Sequence, residues 1–127
     1  MMKNPRETYL AASVSTASPA QLLVMLYERL SLDLHRAVSA LDVDDHATAH
    51  GAILHAQDIV TELRSSLKVE LWSGGPGLAA MYDWLLTELV TANVRKDRDL
   101  TRACLDIVDE LRAVWREAAG SLISASA

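Results

Sequence analysis

The sequence predicts an all-α protein, an antiparallel up-down four-helix bundle with an N-terminal arm. Apolar residues recur every three or four positions in four separate segments, which is the spacing of amphipathic helices. Helix breakers are few, with 5 Gly and 3 Pro among 127 residues. Short polar connections between long helices favour antiparallel neighbours. We therefore expect an arm over residues 1–17, the bundle over residues 18–119 and a C-terminal tail over residues 120–127.

The first helix has a marked start. Ser18 is followed by Pro19 at the first helical position and by Gln21 at the third, which is a capping-box pattern. Aspartates around Asp45 later interrupt the apolar pattern and supply the N-cap of the second helix. Between these two points, helical spacing predicts a buried stripe of Leu23, Leu26, Leu30, Leu34, Ala37 and Leu41.

The second helix is predicted from about Asp45 to Leu67. The stretch Ser73–Gly77 then predicts a loop, because it combines three glycines with a proline. The predicted stripe of the second helix consists of Ala49, Ile53, Ala56, Val60, Leu63 and Leu67.

The third helix is predicted from about Leu78 to Val94, and the fourth from about Asp99 to Ala119 with Asp97 as its cap. The inward residues of the third helix are Leu78, Tyr82, Leu85, Leu86 and Leu89. Those of the fourth are Leu100, Cys104, Ile107, Leu111 and Trp115.

Composition excludes several classes of function. A net charge of -5 and a pI near 5.2 argue against nucleic acid and anionic membrane surfaces. No apolar run reaches the roughly 18 residues of a membrane span, so we expect no membrane insertion. The stretch Tyr9–Ala20 is broken by serines and a threonine, and we interpret it as an arm, not an export signal. The single cysteine, Cys104, excludes an intramolecular disulfide and fits a cytoplasmic protein.

The residues do not indicate an enzyme, a cofactor or a metal site. No glutamate has histidine three residues on, the pattern of di-metal bundles. His46 and His50 lie one helical turn apart, but off the apolar stripe, so we interpret them as solvated. The glycine-rich loop lacks the lysine of a phosphate loop. Cys104 falls on the predicted core stripe, where it acts as a small hydrophobe.

The helices carry more apolar surface than one core needs. On the first helix, Leu22, Met25 and Leu32 lie roughly 90° or more from the centre of the buried stripe, on a flank that also holds Arg29 and Arg36. Single exposed leucines are ordinary, but together these residues predict a groove for an amphipathic partner with acidic or polar flanks. Off-stripe residues on the other helices are Leu54, Trp84 and Leu105.

These features together resemble the FliS family of flagellar secretion chaperones. The resemblance spans about Tyr9 to Trp115 and begins with Val14–Leu22 followed by Met25-Leu26-Tyr27-Glu28. Its most specific part is Thr16–Pro19 with the downstream Leu26-Tyr27. Weaker matches follow in order along the chain: Ala56-Gln57, Glu62-Leu63, Ser66-Leu67, Gly74-Gly75, Met81-Tyr82-Asp83-Trp84, Ala92-Asn93, Leu111-Arg112 and Trp115.

The resemblance implies a cytoplasmic four-helix bundle that binds the C-terminal segment of flagellin. It would prevent premature polymerisation and keep flagellin competent for flagellar type III export. The flagellar export gate is a second candidate partner, and the chain is expected to be a monomer or a weak homodimer. The expected groove residues are Leu22, Met25, Leu32, Leu54, Trp84 and Leu105, with Tyr9 and Val14 capping the groove from the arm.

Two alternatives stay open at this point. One is a helical adaptor whose client is not flagellin. The other is a small all-α enzyme, which the nearly charge-free predicted stripes disfavour.

Overall fold

The computed structural model describes residues 18–126, with side chains described from residue 18 to residue 120. This part of the chain forms helices α1 (Pro19–Asp42), α2 (His46–Ser66), α3 (Gly75–Arg95) and α4 (Arg98–Ser126). A short 3-10 turn, Val69–Leu71, lies between α2 and α3. The arm, including Tyr9 and Val14, lies outside the described residues. None of the described helices is long and apolar enough to cross a membrane.

The four helices form a closed ring of neighbours. Helix α1 packs against α2 and α4, and α3 packs against the same two helices from the opposite side. Cross-helix contacts run in reversed order along α1 and α4, which makes these helices antiparallel. The pairs are Glu28–Arg116 at 3.8 Å, Ser31–Asp109 at 2.6 Å and Asp42–Arg98 at 2.8 Å. The predicted antiparallel bundle is confirmed.

The predicted N-caps are confirmed at three helices. Ser18 and Gln21 form the reciprocal capping box, with N–H···O distances of 2.9 and 3.2 Å. Asp45 accepts from the Thr48 amide at 3.2 Å, and Asp97 accepts from the Leu100 amide at 3.0 Å. Each side-chain oxygen satisfies an amide that the helix itself leaves without a partner.

Helix boundaries differ from expectation in two places. Helix α3 begins at Gly75, not near Leu78, because Pro76 fits the first helical turn, where no amide hydrogen is needed. A Cβ atom at Gly75 would collide with the main chain of Val69, so this helix start requires glycine. Helix α4 continues to Ser126, past the expected end at Ala119, so most of the stretch expected to be a tail is helical.

The core confirms the predicted stripes of α2 and α3 and widens that of α4. Cys104 is buried as predicted, and Ile107, Leu111 and Trp115 are partly buried against the core. Helix α4 contacts both α1 and α3, so it buries a wider face than its apolar spacing indicates. The expectation that Leu105 faces a partner is therefore wrong, because its side chain is 0% exposed. The buried residues of α4 are Thr101, Cys104, Leu105, Val108 and Ala119.

Leu105 and Leu54 form a matched pair for testing this assignment. Leu105→Ala should lower the free energy of unfolding by about 2–5 kcal/mol, because it leaves a cavity in the core. Leu54 is 43% exposed, so Leu54→Ala should cost about 1 kcal/mol or less. Urea denaturation followed by circular dichroism measures both. Equal losses would contradict the assignment of Leu105 to the core.

Candidate binding groove

An apolar groove of about 500 Å³ opens at one end of the bundle, where α1 begins and α2 ends. We call it the main groove. Its walls come from α1, α2, the segment after α2, α3 and α4, so no single helix builds it. Most of the lining is apolar, and Lys68 is the one charged residue among the described residues that line it. The lining residues are Pro19, Leu22, Leu23, Leu26, Leu63, Ser66, Leu67, Lys68, Tyr82 and Trp115.

Two tyrosines lie where the main groove meets the core. The hydroxyl groups of Tyr27 and Tyr82 are 2.6 Å apart, and the two residues are 0% and 2% exposed. We call them the hydroxyl pair. Burial raises the pKa of both phenols, and in Tyr82 the contact with Tyr27 raises it further. Both groups are therefore neutral at physiological pH, and each keeps an O–H donor.

Trp115 connects the hydroxyl pair to the mouth of the main groove. Its ring lies 6.4 Å from that of Tyr27 and 6.2 Å from that of Trp72, in tilted and edge-on arrangements. The indole N–H lies near enough to the Tyr27 hydroxyl to lower the pKa of that phenol. However, among the described residues no acceptor meets this buried N–H in hydrogen-bond geometry.

Trp72 and Leu71, which the sequence reasoning missed, lie in the segment between α2 and α3. They are 49% and 73% exposed, and the contact with Trp115 places Trp72 beside the main groove. A Cβ atom at Gly74 would collide with the Trp72 ring, so this glycine makes room for it. In the sequence, this Leu-Trp pair lies directly before the glycine-rich loop. Large apolar side chains in a loop are not needed for the core, and this could have indicated an exposed surface.

The expected groove residues do not all meet in one place. Leu22 lines the main groove. Met25, Leu32 and Leu54 are 42%, 40% and 43% exposed, which confirms their predicted exposure. Trp84 is 39% exposed and lines a separate space between α3 and α4.

This second space, the α3–α4 cleft, has a volume of about 310 Å³. Gly77 and Ala80 leave room beside the Trp84 ring because their side chains are small. The two spaces share no lining residue, so the cleft adds an apolar surface distinct from the main groove. Its lining residues are Gly77, Ala80, Met81, Trp84 and Ile107.

The flank of α1 is less basic than its sequence indicates. Arg29 pairs with Asp33 at 3.2 Å, one helical turn away. Asp33 is 2% exposed and also contacts the Nδ1 atom of His55 on α2. This buried carboxylate therefore compensates the charge of Arg29 and links α1 to α2.

The histidines singled out by sequence have protein partners. The Nδ1 atom of His50 lies 3.0 Å from the side-chain nitrogen, Nδ2, of Asn93 on α3. The Nε2 atom of His46 lies 3.9 Å from an Asp44 carboxylate oxygen. In the part of the chain that the structure describes, no three His, Cys, Asp or Glu side chains are grouped as metal ligands.

Comparison with known proteins gives consistent matches. The family model described as flagellar protein FliS matches residues 2–122. The chain is similar to the flagellar secretion chaperone FliS of Bacillus subtilis (strain 168), with 31% identity over 119 residues, 92% of this chain and 87% of that protein. It is also similar to the flagellar secretion chaperone FliS of Salmonella typhimurium, with 27% identity over 110 residues, 84% of this chain and 80% of that protein.

A solved structure described as the crystal structure of a flagellar chaperone from bacteria has the same fold. The TM-score is 0.74 at 17% sequence identity, and the match covers 92% of this chain and 99% of that chain.

Cys104 offers a direct test of the closed core beside these surfaces. Burial, with the Glu88 carboxylate nearby, raises the pKa of its thiol to about 12. The reactive thiolate is therefore nearly absent at pH 7–9 in the folded protein, whereas an unfolded thiol ionises near pH 8.5. Iodoacetamide should label Cys104 slowly in buffer and rapidly in urea. Rapid labelling of the folded protein would place the thiol at the surface.

Proposed function

The chain belongs to the FliS family of flagellar secretion chaperones, and from this premise we propose that it binds the C-terminal segment of flagellin in the cytoplasm. Binding would cover the apolar stripes through which flagellin monomers associate. It would thereby prevent premature polymerisation and hold flagellin in a form competent for flagellar type III export.

The main groove is the observation that carries this proposal. It is concave and largely apolar, and side chains from four helices and the intervening segment line it. Such a surface suits the apolar face of an amphipathic segment. Trp72 enlarges the apolar area beside it, since it is exposed and its ring contacts that of Trp115.

The distribution of the other exposed residues supports an extended client. Met25 and Leu32 lie on α1, Leu54 on α2, and Trp84 in the α3–α4 cleft. One short helix would not contact all of these surfaces. A segment that is unfolded before binding can follow them in turn, and ordering it offsets part of the contact energy, which keeps the complex reversible.

Calorimetric titration with a peptide of the cognate flagellin C-terminal segment tests the proposal. We expect a complex near one-to-one with a negative heat-capacity change, because apolar surface is buried. Leu22→Ala and Trp84→Ala should each weaken binding by about tenfold while the protein stays folded. Val94→Ala is the matched control, because Val94 is 80% exposed and lines neither surface.

Three results would count against parts of this proposal. No binding by the unaltered chain would contradict flagellin as the client and favour a helical adaptor for another protein. Loss of folding in Trp84→Ala would show that Trp84 supports the core. A weakening by Val94→Ala as large as that by Trp84→Ala would remove the evidence for the α3–α4 cleft.

Removal of the arm tests a further part of the proposal. We propose that Tyr9 occupies the client-binding groove in the free protein and leaves it when flagellin binds. Deleting Met1–Ser13, which retains the Ser18 capping box, should then raise the association rate or the affinity for the flagellin peptide. Stopped-flow Trp fluorescence measures the rate. Unchanged or weaker binding would contradict a capping arm.

A further inference from the structure

Lys68 is a cation in a groove lining that is otherwise uncharged among the described residues. It directly follows Leu67, the C-cap residue of α2, and it is exposed. The four-carbon stem of a lysine covers apolar surface while its ammonium group stays in water. Lys68 can therefore contribute its stem to the main groove and its charge to the border of that groove.

The acidic groups on the helices that line the main groove are paired with other cations. Asp83 of α3 pairs with Arg64 of α2 at 3.0 Å, and Glu28 of α1 lies 3.8 Å from Arg116 of α4. None of the ion pairs between described residues includes Lys68. The arginines near this end of the bundle are thus compensated from within the described chain, whereas Lys68 is not.

This distribution of charge moves the attraction for an acidic partner from the α1 flank to the main groove. The sequence predicts acidic or polar flanks on the partner from Arg29 and Arg36 of α1. However, the Arg29 guanidinium lies 3.2 Å from the buried Asp33 carboxylate, which compensates its charge. Lys68 has no such partner among the described residues, and it lines the surface that is concave and apolar.

A segment bound in the main groove would displace water from the surroundings of the Lys68 ammonium group. Removing water from a charge costs free energy unless another group replaces the lost interactions. A carboxylate does this best, because it accepts a charge-assisted hydrogen bond and neutralises the cation. An apolar side chain at the same place would leave that cost uncompensated.

We propose that Lys68 is a specificity-determining residue, which pairs with a carboxylate of the client segment in the main groove. This inference rests on the proposed function and specifies the chemistry of the client. The client would carry an Asp or Glu close to the apolar residues that enter the groove. In a helical piece of the client, this acidic residue would lie at the border of the apolar stripe and not opposite it.

Lys68→Met and Arg95→Met are the matched variants for the test. Each replaces an exposed cation beside a helix C-terminus by an unbranched apolar side chain, so each should change stability and net charge alike. Arg95 ends α3 and lines neither the main groove nor the α3–α4 cleft. In calorimetric titration with the flagellin C-terminal peptide, Lys68→Met should weaken binding by about threefold to fivefold. Arg95→Met should leave the affinity unchanged.

The sign of the Lys68→Met effect separates a charged contact from an apolar one. Methionine suits an apolar neighbour better than lysine does, so an apolar client residue at this place would bind the variant equally or more tightly. Either result would overturn the proposal and leave the proposed function intact. Equal weakening by Lys68→Met and Arg95→Met would also overturn it, because the effect would then come from net charge.

Salt provides a second readout. Raising NaCl from about 0.05 M to about 0.5 M shortens the range of electrostatic attraction severalfold. The difference in affinity between the unaltered chain and Lys68→Met should therefore shrink as salt rises. A difference that does not change with salt would show that Lys68 acts through its stem, which overturns the proposal.

A scan of the peptide identifies the partner and needs only the unaltered chain and Lys68→Met. Each Asp or Glu of the flagellin peptide is replaced in turn by Asn or Gln. One replacement should weaken binding to the unaltered chain by about threefold to fivefold and have little effect on binding to Lys68→Met. If every replacement affects both proteins equally, no client carboxylate pairs with Lys68 and the proposal is overturned. No binding of any peptide by the unaltered chain would overturn the proposed function, and this inference with it.

Discussion

The contact between the Tyr27 and Tyr82 hydroxyl groups spans the diagonal of the bundle, because α1 and α3 each neighbour α2 and α4. The hydroxyl pair also marks the level along α1 at which the core changes from fully buried to partly buried. From Leu30 towards the C-terminal end of α1 the core side chains are buried, whereas Leu23 and Leu26 before the pair are only partly buried. Two long side chains joined tip to tip set the width of the bundle at this level. The main groove exists because, among the described residues, none fills the space between the helices past this point.

A bundle that leaves one end open has to be stabilised by contacts in the rest of the structure. Fully buried aliphatic side chains on all four helices provide it, and a series of polar contacts fixes how α1 sits against its neighbours. Ser31 binds Asp109 of α4, Asp33 binds His55 of α2, and Asp42 pairs with Arg98. These contacts all lie beyond the hydroxyl pair, on the closed side. The open end is therefore free to carry apolar surface that contributes little to folding.

The sequence predicts the helices well because their signals are local. The Ser18 capping box and the α2 stripe depend on residues within a few positions of each other. The buried face of α4 was harder to predict from the sequence, because two neighbouring helices cover it and bring Leu105 into the core. Helical spacing also identifies the inward face of a helix without showing where the core ends along it. The main groove depends on that end point, and on side chains as distant in sequence as Leu22 and Trp115.

The geometry also bears on how the proposed complex with a client would be reversible. Met25, Leu32 and Leu54 are each about half covered already, so covering the rest contributes about 1 kcal/mol per residue. Fixing the backbone of each client residue costs a similar amount. Shallow surfaces of this kind therefore contribute length to the contact but little net affinity. In the proposed complex, most net affinity would come from the concave main groove, where several client side chains would be covered at once. Release of the client would then depend mainly on its leaving this groove.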